Sequence, residues 1–77
     1  MVNIKFFNAK WCGPCKQMKP HIDQLISEGY SIQTIDIDEQ PDLAKQYNVR
    51  SVPTLIVNNN SLVGYRDKSQ IQEAVGK

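Results

Sequence analysis

Cys12 and Cys15, separated by Gly13 and Pro14, are the residues of this 77-residue sequence whose type and spacing suit covalent chemistry. Side chains at i and i+3 share a face at the start of a helix, close enough to bridge. An apolar strand-like run, Val2 to Phe7, leads into the pair and a helical pattern follows it. The first turn of a helix carries unpaired N–H groups and a partial positive charge, both of which favour a thiolate. Cys12, at the turn, is therefore the expected nucleophile, and Cys15, one turn inside, the resolving thiol. Pro14 lacks only an N–H that has no helical partner there, and Gly13 is expected to let the chain bend without a Cβ clash. The chemistry implied is thiol–disulfide exchange. A thiolate attacks a disulfide sulfur, a mixed disulfide forms, and the second cysteine displaces the reduced product. Two electrons pass, and the dithiol itself is the only redox group required. C-x-x-C nucleophiles at helix starts have pKa values of about 3.5–7.5, against about 8.5 for a free thiol.

Other uses of a cysteine pair fit poorly. A zinc site needs two further ligands, whereas the sequence holds one histidine, His21, and no second cysteine pair, so no metal is expected. Haem attachment needs a histidine directly after Cys15, where Lys16 stands. A disulfide closing so short a loop restrains the unfolded chain little, which argues against a purely structural role. His21 is read as a partly packed or solvent-facing residue in the absence of a partner. Lys10 and Lys16 flank the dithiol and are candidates for electrostatic tuning of the thiolate, although isolated surface lysines contribute little.

The elements that must position the dithiol are legible from periodicity. Val2–Phe7 and Ser31–Asp36 read as strands, with Ile35 and Ile37 on one face of the second and Thr34, Asp36 and Asp38 on the other. The helix between them has an apolar stripe of Met18, Ile22, Leu25 and Ile26, contains Pro20, and ends at Gly29. Strand, helix and strand of these lengths predict a right-handed parallel βαβ unit. Pro41 suits a first helical position, and Leu43, Ala44 and Tyr47 give a short helix ending near Asn48. Thr54–Val57 and Ser61–Tyr65 flank Asn58, Asn59 and Asn60 and predict an antiparallel hairpin. Asp67 with Gln70 forms a capping-box pattern before a last helix that buries Ile71 and Val75. The order is βαβαββα.

Size and charge bound the rest. A chain of 77 residues is one domain, 1–77, with a small core. Nine basic residues against eight acidic give a formal charge of +1 without blocks of like sign, so neither nucleic acid nor an anionic membrane is an expected partner. No apolar stretch reaches membrane-spanning length and no signal-peptide pattern opens the sequence, so a cytoplasmic location is expected.

Trp11-Cys12-Gly13-Pro14-Cys15-Lys16, Pro20, Ile37-Asp38 ahead of Gln40-Pro41, and Val49-Arg50-Ser51-Val52-Pro53-Thr54 together resemble the thioredoxin family over nearly the whole chain. The resemblance implies an α/β fold, a four-stranded mixed sheet of order 2-1-3-4 with helices on both faces. It also implies a cis bond before Pro53, with Val52, Pro53, Thr54, Gly64 and Tyr65 beside Trp11 as the substrate-binding rim. The implied function is a monomeric thiol–disulfide oxidoreductase that needs no cofactor. Its reductant would be a flavoprotein thioredoxin reductase, and its substrates protein disulfides such as that of a ribonucleotide reductase. The family's full-length members carry a further N-terminal strand and helix, so the outline is closer to a glutaredoxin, and a glutathione-linked enzyme is the alternative reading. Val63-Gly64 in place of paired glycines, and the Gly-Pro spacer, weigh against it. A non-catalytic interaction subunit is the third reading, opposed by the intact dithiol. Thioredoxins usually place a buried aspartate six residues before the nucleophile and a lysine on the adjacent strand. Here Phe6 and Thr34 stand at those positions, an apolar pocket is expected, and Asp36 is the remaining candidate to take the proton of Cys15.

Overall fold

The computed structural model describes residues 3–76. Its central strand, β1 (Ile4–Asn8), alternates between two faces and therefore builds two cores. Ile4 and Phe6 face α1 (Gly13–Ser27) and α3 (Lys68–Val75), where they pack with Met18, Ile22, Leu25, Leu55, Val57 and Ile71. Phe7 faces the other way and packs with Ile35, Ala44 and Ile56 beneath α2 (Pro41–Gln46). β1 pairs in parallel with β2 (Ile32–Asp36), Phe6 opposite Thr34, and antiparallel with β3 (Thr54–Val57), Phe6 opposite Leu55. β4 (Asn60–Val63) completes a four-stranded sheet of order β2-β1-β3-β4, as the resemblance implies. Met18, Ile22, Leu25 and Ile71 are fully buried, each such side chain worth about 1.5–3 kcal/mol of transfer free energy. The α1 stripe thus fixes which way the start of the helix points, at the carboxyl end of β1.

Element ends follow local chemistry. Gly29 (φ +102°) lets Tyr30 N–H reach back to Leu25 C=O (3.0 Å), closing α1, and Asn48 (φ +58°) does the same for α2 through Val49 N–H and Ala44 C=O (2.8 Å). The capping box is formed: Gln70 N–H donates to Asp67 Oδ1 at 2.9 Å while Asp67 N–H donates to Gln70 Oε1 at 3.0 Å. Lys68 pairs with Glu28, joining the start of α3 to the end of α1.

Several boundaries and one core assignment differ from the sequence reading. β1 runs on to Asn8, and Val2 lies outside the described residues; β2 begins at Ile32. Ile26 is 41% exposed rather than part of the stripe. At 3.6 residues per turn it projects about 80° from Met18, past the margin of the buried face. The hairpin turns on Asn58 and Asn59 alone, because Asn60 already pairs with Val57, and β4 stops at Val63. Gly64 (φ +98°) ends it, leaving Tyr65 beyond the strand.

This packing sets the expected cost of two substitutions. Asp67→Ala should lose about 1 kcal/mol through the missing N-cap, read as a lower denaturant midpoint with unchanged slope. Phe6→Asp should cost more than about 2 kcal/mol, since it exchanges buried aromatic surface for a desolvated carboxyl. Thr34 is directly across the parallel pair from Phe6, so Thr34→Lys should restore part of that loss. Strictly additive losses in a double-variant denaturation cycle would show that the two side chains do not meet.

Candidate active site

Three chain segments converge at the carboxyl end of β1. Ala9, just before the turn, the Cys12–Cys15 disulfide, and Val52 and Ile37 from elsewhere in the chain form one small apolar cluster. Cys12 is the N-cap of α1, with extended backbone (φ −87°, ψ 112°), and its Sγ accepts the Cys15 backbone N–H at 3.2 Å. The sulfur thus occupies the place where a serine or aspartate oxygen usually satisfies an open helix end. Lys16 N–H donates to Cys12 C=O at 3.2 Å, so the helix starts at the dithiol itself. The two Cα atoms are 5.2 Å apart, inside the range that a disulfide spans without moving backbone.

Two local expectations change. Cys12, expected at the turn, is not open to solvent in this oxidised form: it is 5% exposed and Cys15 3%, packed with Ala9 and Val52. Gly13 needs neither left-handed backbone nor space, since a Cβ there would meet nothing within 4 Å.

The segment facing the dithiol contains a cis Val52–Pro53 bond, as the resemblance implies. Pro53 C=O accepts Gly64 N–H at 2.9 Å, which brings the end of β4 alongside it. Val52 and Gly64 are partly exposed, and Tyr65 is exposed. Thr54 is turned inward, 2% exposed, and its Oγ1 donates to Ser51 C=O at 2.7 Å, so its side chain shapes the turn instead of lining the rim. Trp11 is 67% exposed, and its indole N–H donates to Asp38 Oδ2 at 2.8 Å. The sequence reading gives Asp38 no role at the site; the signal available was its place in the Ile37-Asp38 pair.

Behind Cys15 lies a cavity of about 490 Å³ whose lining includes Phe6, Asn8 and Asp36 from the strands and Lys16 and Lys19 from α1. It is not the purely apolar pocket expected from the loss of a charged pair. Phe6 is buried at its wall, and Asn8 and Asp36, register partners across β1 and β2, add polar groups to a mainly apolar lining. Asp36 shares this cavity with Cys15, while its Oδ1 accepts the N–H groups of Asp38 (2.8 Å) and Glu39 (3.3 Å). Lys10 is exposed and lies 3.5 Å from Glu39, a surface pair of small energetic weight. Pro14 is exposed at the first turn. Among the described residues, no group of three or more His, Cys, Asp or Glu side chains is arranged to hold a metal.

Comparison with known proteins agrees with this geometry. The family model described as thioredoxin matches residues 2–77. The chain is 40% identical to a thioredoxin of Chlamydia trachomatis, with 99% of this chain and 69% of that protein aligned. It is 39% identical to a thioredoxin of Bacillus subtilis over 92% of this chain and 76% of the relative. A chloroplastic M-type thioredoxin of Spinacia oleracea is 40% identical, and there the chain spans 44% of the relative's length. Among solved structures, a mutant thioredoxin from Halobacterium salinarum superposes with a TM-score of 0.87 at 33% identity, covering 96% of this chain and 71% of that one. Sheet order, helix-capping disulfide and family match coincide, and the chain belongs to the thioredoxin family, whose members are thiol–disulfide oxidoreductases.

Proposed function

We propose that this chain is a single-domain, monomeric reductase of protein disulfides, with Cys12 as nucleophile and Cys15 as resolving thiol. The observation that carries the reading is the donation of Cys15 N–H to Cys12 Sγ at the open end of α1. In the reduced protein that N–H and the helix dipole favour negative charge on Cys12 over Cys15. Cys12 thiolate attacks one sulfur of the substrate disulfide, and the electron pair of the broken S–S bond leaves on the other sulfur. Cys15 then loses its proton and attacks Cys12 Sγ, which releases the second substrate thiolate and returns the protein to the disulfide form. The protein supplies the redox group itself, so no further cofactor is needed.

In this reading Trp11, Val52, Gly64 and Tyr65 form the apolar rim and an extended substrate segment pairs with the Val52 backbone by strand addition; the packing of Val52 against the bridge and the exposure of Trp11 and Tyr65 support it. A radius of gyration of 11.4 Å matches the roughly 11.5 Å of a folded domain this long, which supports one domain over 1–77. No helix among the described residues is long and apolar enough to cross a membrane, and a cytoplasmic setting suits a dithiol that must be kept reduced. The reductant we assign is a flavoprotein thioredoxin reductase, and the substrates are protein disulfides of the ribonucleotide reductase kind.

Turnover of a protein disulfide should proceed with NADPH and thioredoxin reductase and be far slower with glutathione and its reductase; the reverse order would move the chain to the glutathione-linked class. Cys12 should titrate below an ordinary thiol and react first with alkylating agents in the reduced protein. Equal rates for both thiols across neutral pH would remove its assignment as nucleophile. Cys12→Ser should abolish turnover, whereas Cys15→Ser should trap the mixed disulfide, visible by mass. Turnover surviving Cys12→Ser would instead support a non-catalytic use of the fold.

A further inference from the structure

Tyr65 does not hang free beyond β4. Its phenol oxygen lies 3.0 Å from His21 Nε2, and the two rings meet edge to face with centroids 6.1 Å apart. His21 sits on α1 six residues after Cys15, about 9 Å along the helix axis at 1.5 Å per residue. The loop between β4 and α3 is therefore tied to the dithiol region at two points. Gly64 N–H holds it to Pro53 C=O, and the His21–Tyr65 pair holds the tyrosine ring to the dithiol's own helix. Tyr65 nonetheless remains 41% exposed, so the bond engages its polar tip and leaves ring surface bare.

Trp11 is built the same way. Its N–H is held by Asp38, which follows β2, and its indole is 67% exposed. One exposed aromatic ring is thus anchored on the β2 side of the dithiol and another on the β4 side, each by a single hydrogen bond at its polar end. Such rings offer apolar contact area with little side-chain freedom left to lose on binding.

We propose that Tyr65 is a specificity-determining residue for protein disulfides and that His21 is the residue that positions it, a role that rests on the reductase reading above. The occupant is an extended segment of the substrate whose apolar side chain, next to its cysteine, lies on the Tyr65 ring while its backbone passes Val52. A small disulfide, with only a two-carbon polar arm on each sulfur, reaches Cys12 without that contact. His21 touches neither the sulfurs nor the substrate in this arrangement and acts only through Tyr65.

The test compares KM and kcat for insulin and for bis(2-hydroxyethyl) disulfide in the wild type, Tyr65→Ala, Tyr65→Phe, His21→Leu, His21→Gln and His21→Leu/Tyr65→Phe. Tyr65→Ala should raise the insulin KM relative to that of the small disulfide by about fivefold, the scale of losing an aromatic anchor. His21→Leu should raise the ratio about twofold by freeing the ring, and His21→Gln, which can still bond the phenol, should restore it. Adding Tyr65→Phe to His21→Leu should change nothing further, because the bond is already lost. Hydrogen exchange at the Gly64 amide should quicken in His21→Leu and return in His21→Gln. An unchanged KM ratio in Tyr65→Ala, or His21→Gln behaving as His21→Leu does, would overturn the proposal while leaving the reductase function intact. Wild-type protein that reduces neither disulfide would instead defeat the functional reading, and this inference with it.

Discussion

A sulfur atom in the N-cap position of α1 is the constraint on which the rest of the molecule depends. A helix end needs an acceptor for its first N–H groups, and Cys12 Sγ supplies one to Cys15 N–H; the same donor would serve a thiolate on Cys12 in the proposed mechanism. The contact works only if the helix start is held still against β1 and against the Val52–Pro53 segment. The first is achieved by Met18, Ile22 and Leu25, which lock the helix onto Ile4, Phe6 and Leu55. The second is achieved across the sheet, because β3 pairs with β1 and delivers Val52 to the dithiol cluster. Core packing and chemistry therefore share residues, and the small core leaves few positions that serve only one of them.

Much of this is legible in the residue order because it depends on short-range chemistry. Cys12-Gly13-Pro14-Cys15 at a strand-to-helix junction, Gly29 as a left-handed terminator, and Asp67 with Gln70 as a capping box each involve residues within a turn of one another. Alternation along Ile4–Phe7 and the Met18–Ile22–Leu25 stripe likewise need only the periods of strand and helix. Sheet order and the cis bond do not come from periodicity; family resemblance carries them. What does not show are pairs separated by long stretches of chain: Trp11 with Asp38, and His21 with Tyr65. Ile26 misleads for a different reason, since an apolar type at the edge of a stripe does not say whether a neighbour lies above it.

The cavity behind Cys15 shows how the absence of a charged pair is accommodated. Phe6 in place of an acid, with exposed Thr34 beside it, avoids leaving one buried charge without its partner, a situation that costs about 3–5 kcal/mol. Yet the cavity is not wholly apolar, because the next register pair along the same face is Asn8 and Asp36. Asn8 is committed to the backbone, its Nδ2 donating to Ile35 C=O at 3.2 Å. Asp36 uses Oδ1 to hold the turn that carries Asp38, and Asp38 in turn holds Trp11.

That last chain of contacts places Asp36 between the two sides of the site. Through Asp38 it bears on the exposed Trp11 ring, and through the cavity it borders Cys15, the thiol that would lose a proton in the proposed mechanism. Among the described residues, the backbone N–H groups of the turn go to Oδ1. An asparagine in its place keeps an acceptor for the turn but has no proton to exchange. Under the proposed mechanism, the positioning of Trp11 and any transfer of the Cys15 proton to Asp36 would therefore be separable at this residue by chemistry alone.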